Sequence, residues 1–159
     1  MKTELMQERE ERLIASNKKA YFDFFIIQVF EAGIALLGTE VKSLRQGKCS
    51  IKEAYCTFPD KKANELYLVE SHISPYDHGS ASNHKPKRRR KLLLHEHELA
   101  KLRTAIEEKG MTIVPIEIYF SGHLVKIRIA IVKAKKKYDK RETTKQRETE
   151  REIHKKYKA

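Results

Sequence analysis

The chain has 159 residues, and its 34 Lys and Arg outnumber its 22 Asp and Glu, so the formal net charge is +12. This length predicts one domain. Because no apolar run approaches the ~20 residues of a membrane helix and residues 1–12 are charged, we expect neither a membrane protein nor a secreted one.

The first third of the chain predicts two strands and a short helix behind an arm. Residues 1–16 are polar and charged with little apolar support, so we expect a flexible N-terminal arm. Residues 21–30 are aromatic and β-branched, which is typical of a strand, and residues 33–37 are expected to form a second strand after a bend. Thr39 is a candidate N-cap for a short helix over residues 40–45.

The middle of the chain predicts a hairpin, a long loop and a helix. Residues 51–58 and 65–71 flank a turn-forming segment, as two paired strands do. Residues 74–91 contain two prolines, a glycine and a basic run, so we expect a long loop outside the core. The strongest helix is expected over residues 92–109, where apolar residues recur at helical spacing before Gly110.

The last third predicts a second hairpin and then a tail. Strands are expected over residues 112–120 and 124–132. The second strand alternates between an apolar face and a basic face, namely Val125, Ile127, Ile129 and Ile131 against Lys126 and Arg128. Residues 133–159 have no hydrophobic period, so we expect a tail that is disordered until a partner orders it. Many short strands with one or two helices predict a mainly β fold, a small antiparallel barrel or sandwich.

The positive charge is concentrated in two segments. The basic loop carries six cations and no acid: Lys85, Lys87, Arg88, Arg89, Arg90 and Lys91. The tail carries a net charge of +7, and the part of the chain outside these two segments has a net charge of −1. A near-neutral body with two basic segments predicts a polyanion-binding protein, and neither segment has the apolar face that a membrane surface would need. Aromatic residues among the cations, such as Tyr76 and Tyr119, favour RNA with unstacked bases.

Motifs for catalysis or for binding a metal or cofactor are not found. There is no glycine-rich phosphate loop and no nucleophile elbow. His95 and His97 would point about 200° apart on a helix, and the loop residues His78 and His84 are expected to contact RNA or water.

The two cysteines and three of the glutamates also have common structural roles. Cys49 and Cys56 are interpreted as small core residues, and two thiols are too few for a disulfide framework, which favours a reducing compartment. Glu31, Glu40 and Glu117 could hold a metal only in principle, because a buried or capping role is commoner for glutamate. The Glu31 carboxylate could also accept hydrogen bonds from the edge of a base.

Six blocks of residues resemble a known family. They are EAGI at 31–34, GTEVKSLR at 38–45, ISPY at 73–76, NHKP at 83–86, RKLLLH at 90–95 and YDKRE at 138–142. In this order and spacing they resemble small protein B (SmpB), the family of SsrA-binding proteins of bacterial trans-translation. The family usually has a glycine where this chain has Ala134, so a free hinge at that position is left open.

The resemblance implies a fold, a function and a set of contact residues. It implies an OB-fold-like barrel with flanking helices over residues 17–132, which binds RNA without catalysis. It further implies a cytoplasmic protein that binds the tRNA-like domain of tmRNA and delivers it, with elongation factor Tu, to stalled ribosomes. By motif position, the RNA contacts are Asn17, Lys18, Glu31, Arg45, Leu93 and Lys126.

The resemblance also implies that the basic tail, residues 133–159, becomes helical only on the ribosome, in the mRNA channel near the decoding centre. The tail residues expected to contact the ribosome are Lys135, Lys136, Tyr138, Asp139, Lys140, Arg141 and Ile153. Two alternatives are left open. A general RNA chaperone would bind any RNA of equal length as tightly, and a metal-dependent nuclease would cleave RNA with Mg²⁺ through Glu31.

Overall fold

The structure is a computed structural model and describes residues 10–79, 82–136, 141 and 144–148. In chain order the elements are β1 (Glu11–Ser16), α1 (Lys18–Asp23), β2 (Phe24–Ile34), α2 (Gly38–Arg45), β3 (Cys49–Ser50), β4 (Tyr55–Thr57), β5 (Leu66–Val69), β6 (His72–Ile73), β7 (Arg90–Leu93), α3 (Glu96–Glu107), β8 (Thr112–Ser121) and β9 (Leu124–Ala134). Residues 141 and 144–148 are also helical. Among the described residues, no helix has the length and apolar character that crossing a membrane requires.

Seven strands form one antiparallel sheet in the order β1-β8-β4-β5-β7-β2-β9, and β8 also pairs with β9, so the sheet closes into a ring. The prediction of a mainly β, antiparallel fold is therefore confirmed, while the OB-fold label stays a prediction. The strand β8 pairs with β9 over its full length. Its other edge pairs with β1 and, at Ile113, with β4.

The apolar face of β9 fills the inside of the ring. Ile127 and Ile129 have no exposed surface and belong to the main hydrophobic cluster, so the predicted alternation of this strand is confirmed. Burial of such a side chain stabilises the fold by roughly 1.5–3 kcal/mol. A smaller cluster lies where Ala20 of α1 packs on residues of β8 and β9, including Val114 and Val132.

The N-terminal prediction is wrong for Glu11–Ser16. These residues form β1, which pairs with β8 from Glu11↔Ser121 to Ser16↔Glu117. Ile14 and Ala15 pack against the main core. The strand was missed because its backbone partners, Glu117 to Ser121, lie in a distant part of the chain. Residues 1–9 lie outside the described part.

The first predicted strand begins too early, because residues 18–23 form α1. Helix α1 starts where the Asn17 side chain accepts a hydrogen bond from the Ala20 amide at 3.2 Å. Strand β2 then runs without the predicted bend to Ile34, with a bulge between Ile26 and Gln28.

Helix α2 begins at Gly38, and Thr39 does not cap it. The Glu40 carboxylate instead accepts from the Leu37 amide at 2.7 Å. Thr39 Oγ1 lies 2.9 Å from His84 Nδ1.

The segment 74–91 is not wholly outside the core. His84 is 6% exposed and Arg90 is fully buried. Arg90 begins β7, which also takes Leu92 and Leu93 from the predicted helix, so α3 starts only at Glu96. At the other end, β9 continues past the predicted start of the tail. Its Ala134 pairs with Phe24 and the Lys135 amide donates to the Asp23 carbonyl at 2.9 Å, so Ala134 lies within the ladder and is not a hinge.

Candidate RNA interface

One row of residues crosses five strands on the outer face of the ring. Leu93 of β7 lies opposite Gly33 of β2, which lies opposite Lys126 of β9. Lys126 in turn lies opposite Tyr119 of β8, which pairs with Leu13 of β1. A Cβ at Gly33 would lie 3.3 Å from Leu93 Cβ, so the glycine leaves room for the leucine.

Leu93 and Leu13 are exposed on this face, at 53% and 57%. The sequence pattern alone placed Leu93 in a helix, and the resemblance made it an RNA contact. The structure puts it on a strand with its side chain in solvent, where it is available to a partner.

Glu31 lies on the same face, two residues from Gly33 along β2. Lys126 Nζ donates to Glu31 Oε1 at 2.7 Å, and the Tyr119 hydroxyl donates to Glu31 Oε2 at 2.6 Å. These hydrogen bonds, first that from Lys126 and then that from Tyr119, lower the pKa of Glu31 below its ordinary value of 4.5 although burial opposes them. The carboxylate is therefore ionised and held at both oxygens.

Arg128 lies opposite Glu31 in the next row of the sheet. Its guanidinium stacks over the Tyr119 ring at 4.1 Å. It also pairs with Glu117 and, at 3.0 Å, with Glu11. Because its charge is paired with two carboxylates, Arg128 supports the site and does not offer a free cation to a ligand.

We call Glu31, Leu93, Tyr119, Lys126 and Arg128 the Glu31 patch. Its two cations face three carboxylates, those of Glu31, Glu11 and Glu117. The patch therefore has no positive excess and cannot attract phosphate by charge. It can accept and donate hydrogen bonds in fixed directions beside an exposed apolar side chain, which is how base edges are recognised.

Asn17 is not available for the direct contact that the resemblance assigned to it. It is 3% exposed, and its amide donates to the Pro115 carbonyl at 3.1 Å while its oxygen caps α1. It fixes the start of α1, whose first residue, Lys18, is exposed. Lys18 is thus the accessible one of the two predicted contacts.

Arg45 is exposed at the end of α2, and its carbonyl accepts from the Arg12 guanidinium at 2.7 Å. Arg12 also lies over the Phe120 ring at 5.8 Å. Together with Glu10, Glu11 and His123 these residues line an open cavity of about 650 Å³, in which two carboxylates offset the two guanidinium groups.

The basic loop divides into buried and accessible cations. Arg90 is fully buried, donates to Glu40 at 2.5 Å and bonds Ser71 and Pro86, so its assignment to an exposed basic loop is wrong. Arg88 binds the other Glu40 oxygen at 2.6 Å. Burial raises the pKa of Glu40, but the hydrogen bonds from Arg88 and the Leu37 amide and the charge of Arg90 outweigh it and lower this pKa.

The remaining loop cations are nearer solvent. Lys87 forms an exposed pair with Glu70 at 3.4 Å, and Lys91 forms one with Glu65 at 3.5 Å. Exposed pairs of this kind are weak and exchange readily with other anions. The exposed cations of this segment are Lys85, Lys87 and Arg89.

Two interpretations of the histidines are wrong. His84 is buried, with Nε2 2.9 Å from the Ile73 carbonyl, and does not face RNA or water. His95 precedes α3, so its ring does not point away from that of His97, and the two stack at 5.6 Å. Cys56 is buried in the core as predicted, and burial raises the pKa of the half-buried Cys49 thiol to about 11.

The described part of the tail begins at the end of β9. Lys135 Nζ donates to the Tyr21 carbonyl at 3.2 Å and lies 5.2 Å from the centre of the Phe25 ring. Lys136 follows it, and Arg141 is helical and exposed. The other predicted tail contacts, Tyr138, Asp139, Lys140 and Ile153, lie outside the described residues.

The interpretation of Tyr119 as an aromatic residue for unstacked bases is wrong, because its ring is 1% exposed and lies under the Arg128 guanidinium. The sequence did not identify Tyr119 and Arg128 as the supports of Glu31. Their alternation with buried residues on β8 and β9 places them on the face of Lys126, which is a readable signal. The contact of Tyr119 with Glu31 spans 88 residues and that of Arg128 with Glu11 spans 117 residues. These contacts depend on strand pairing, which a single sequence does not show. The ring-shaped sheet, the Glu31 patch and the accessible cations together define a β-sheet protein of the nucleic-acid-binding class.

Comparison with known proteins identifies the family. The family model described as SmpB protein matches residues 14–159. The chain is 49% identical over 142 residues to the SsrA-binding protein of Syntrophobacter fumaroxidans, which covers 89% of this chain and 86% of that protein. It is 51% identical over 142 residues to the SsrA-binding protein of Syntrophotalea carbinolica, with 89% and 93% covered.

A solved chain gives the same answer. It is described as "tmRNA-SmpB: a journey to the center of the bacterial ribosome", is 43% identical and has a TM-score of 0.64 over 82% of this chain and 93% of that one. The protein therefore belongs to the SmpB family, as the resemblance indicated.

Proposed function

We propose that this protein binds the tRNA-like domain of tmRNA, without catalysing a reaction, and delivers it to stalled ribosomes in trans-translation. Its relatives are SsrA-binding proteins, and the similar solved chain is described in a tmRNA-SmpB context on the bacterial ribosome. The observation that carries the proposal is the Glu31 patch, an ionised and oriented acceptor on an exposed sheet face beside an apolar side chain.

The structure supports separate residues for attracting RNA and for selecting the right RNA. The accessible loop cations and the tail concentrate the positive charge and attract any RNA through phosphate contacts. A carboxylate repels phosphate, so Glu31 is useful to an RNA-binding protein only where it accepts from N–H groups of a base or a sugar hydroxyl. Leu93, exposed beside it, offers apolar surface to the same nucleotide.

The other predicted contacts take roles that follow from their exposure. Lys18 and Arg45 contact phosphates, because both are exposed cations at the ends of helices that flank the ring. Asn17 acts indirectly by capping α1. The tail supplies the ribosome contacts, at the decoding centre and in the mRNA channel, and elongation factor Tu takes part in delivery. A protein with these partners is expected in the cytoplasm.

The nuclease alternative is less well supported by the acids that it needs. Both oxygens of Glu31 already accept from Lys126 and Tyr119, and Glu40 is enclosed by two arginines. Glu117 pairs with Arg128. Among the described residues, no three potential ligands lie close enough to hold a metal ion.

Competition binding tests the proposal. A labelled tRNA-like domain is bound at physiological salt and displaced with unlabelled tRNA-like domain or with an unrelated RNA of equal length. We expect the tRNA-like domain to compete far better. Equal competition would favour the RNA chaperone, and cleavage of the RNA with Mg²⁺ that Glu31→Ala abolishes would favour the nuclease.

A further inference from the structure

Tyr119 is the buried neighbour of the Glu31 carboxylate and is not among the RNA contacts that the resemblance assigns. Its side chain is 1% exposed, and its hydroxyl donates to Glu31 Oε2 at 2.6 Å. The Arg128 guanidinium covers the face of the ring at 4.1 Å and is itself held by Glu11 and Glu117. The hydroxyl is therefore fixed in space by packing on one side and by an ion-pair network on the other.

The two donors on Glu31 differ in how well they orient it. Lys126 donates to Oε1 at 2.7 Å from the end of a flexible four-carbon stem with three rotatable donors. Tyr119 donates from a rigid ring with two torsions, both restricted here. If the carboxylate rotates, the flexible Lys126 side chain can follow it, whereas the rigid Tyr119 ring cannot. The tyrosine therefore sets the plane of the carboxylate.

The held carboxylate still has acceptor capacity. Each oxygen has about two lone-pair sites and uses one, and the Glu31 side chain is 46% exposed. Because the side chain is about half exposed, we expect the remaining sites to be within reach of a ligand. A carboxylate fixed in this way can accept from a donor on a base without first losing rotational freedom.

We propose that Tyr119 is a positioning residue for RNA recognition: it holds the Glu31 carboxylate in the orientation in which its unused acceptor sites meet the N–H donors of an unstacked base. This inference rests on the proposed function, because it takes Glu31 as an RNA contact. It predicts that the hydroxyl of Tyr119 matters only through Glu31.

A second tyrosine provides a matched control. The Tyr67 hydroxyl donates to Glu65 Oε2 at 2.9 Å, and Lys91 lies 3.5 Å from the other oxygen of Glu65. The chemistry is the same, on β5 and β7, but nothing assigns that glutamate to RNA. Tyr67→Phe thus removes an equivalent hydroxyl at a different place on the sheet.

The test compares Tyr119→Phe, Glu31→Gln, the double variant and Tyr67→Phe. Binding of the tRNA-like domain is measured by fluorescence anisotropy, and the pKa of Glu31 is measured by NMR titration of its carboxyl carbon. The charged and titratable groups that face Glu31 from the neighbouring strands are Lys126, Arg128, Tyr119, Glu117 and Glu11. All except Tyr119 are kept, so a change in the titration reports the hydroxyl.

We expect Tyr119→Phe to weaken binding about two- to tenfold, which is the usual worth of one hydrogen bond, and to have no further effect when Glu31→Gln is already present. The pKa of Glu31 should rise toward 4.5. Tyr67→Phe should bind as the unsubstituted protein does.

Three results would overturn the inference: the first two reject the positioning role alone, and the third also rejects the RNA role of Glu31. In the first, Glu31→Gln weakens RNA binding and Tyr119→Phe does not. In the second, Tyr119→Phe weakens RNA binding by the same factor whether or not Glu31→Gln is present. In both cases Glu31 remains an RNA contact and the positioning role of Tyr119 is wrong. If Tyr119→Phe raises the pKa of Glu31 but Glu31→Gln leaves the affinity unchanged, then Tyr119 orients Glu31 only within the sheet. In that case the RNA role proposed for Glu31 fails.

Discussion

Replacing Glu40 by Gln should destabilise the protein strongly, although Glu40 lies away from the Glu31 patch. Glu40 and Arg90 are both fully buried and pair at 2.5 Å, and Arg88 binds the same carboxylate at 2.6 Å. Glutamine keeps the size but removes the charge, so a buried guanidinium is left without a counter-ion. Its NH2 group also replaces one of the two acceptor oxygens, which now bind Arg90 on one side and Arg88 and the Leu37 amide on the other.

The expected loss follows from the burial of the pair. Removing one partner of a buried ion pair costs about 3–5 kcal/mol, and in a domain of this size each kcal/mol lowers the melting temperature by about 2–4 °C. We therefore expect the melting temperature to fall by about 6–20 °C. Because Glu40 also ties Arg88 to α2, the basic loop should become more mobile in the same variant.

Urea unfolding followed by circular dichroism measures the effect. The matched control is Asp77→Asn, which removes an exposed pair with Lys48 at 3.0 Å and should cost about 0–1 kcal/mol. A Glu40→Leu, Arg90→Met double variant should lose less stability than Glu40→Gln, because it leaves no buried charge unpaired. A Glu40→Gln protein as stable as the Asp77→Asn control would refute the account of the loop anchor.

Three further predictions concern charge, acid and the tail. Replacing Lys85, Lys87 and Arg89 together by Gln should make the slope of log affinity for RNA against log salt shallower by about 0.7–0.9 for each phosphate that is no longer neutralised, and an unchanged slope would contradict phosphate binding by this loop. Because the pKa of Glu31 is lowered, its contribution to stability should be complete well above 4.5 and be lost progressively as the pH falls from there through the lowered value. The difference in unfolding free energy between the protein and Glu31→Gln should therefore be the same at pH 6 and pH 7 and smaller at pH 4, and a difference that does not fall at low pH would contradict the lowered pKa. Deleting residues 137–159, beyond the end of β9, should leave the fold and most RNA binding intact but abolish peptide tagging in a reconstituted translation assay, and normal tagging would show that the tail is only a basic extension.

Local patterns in the sequence predicted the parts of the fold that depend on local chemistry. The alternation of β9 placed Ile127 and Ile129 inside and Lys126 outside, and the structure confirms this. Segment 18–23 was missed because its aromatic residues favour a strand, while the capping side chain of Asn17 and the packing of Ala20 favour a helix. Propensity is a weak guide where a tertiary contact decides.

The rest of the site depends on contacts between distant residues. Arg90 belongs to a run of cations that looks like a solvated loop, but its partner Glu40 lies 50 residues earlier and draws it into the core. Glu31 could be placed at an RNA interface by resemblance, yet the hydrogen bonds that hold its carboxylate come from Lys126 and Tyr119, 95 and 88 residues away. Strand register is what joins these residues, and a single sequence does not show it.

The central claim is that selection lies in the Glu31 patch and attraction lies in the basic segments. The most direct measurement is the ratio of affinities for the tRNA-like domain and for an unrelated RNA of equal length, in the unsubstituted protein and in Glu31→Gln, each at several salt concentrations. Loss of a charged hydrogen bond costs roughly 1.5–3 kcal/mol, so the ratio should fall about ten- to a hundredfold while the salt slope stays unchanged and the protein stays folded. A ratio that survives the substitution, or a loss of affinity equal for both RNAs, would contradict the claim.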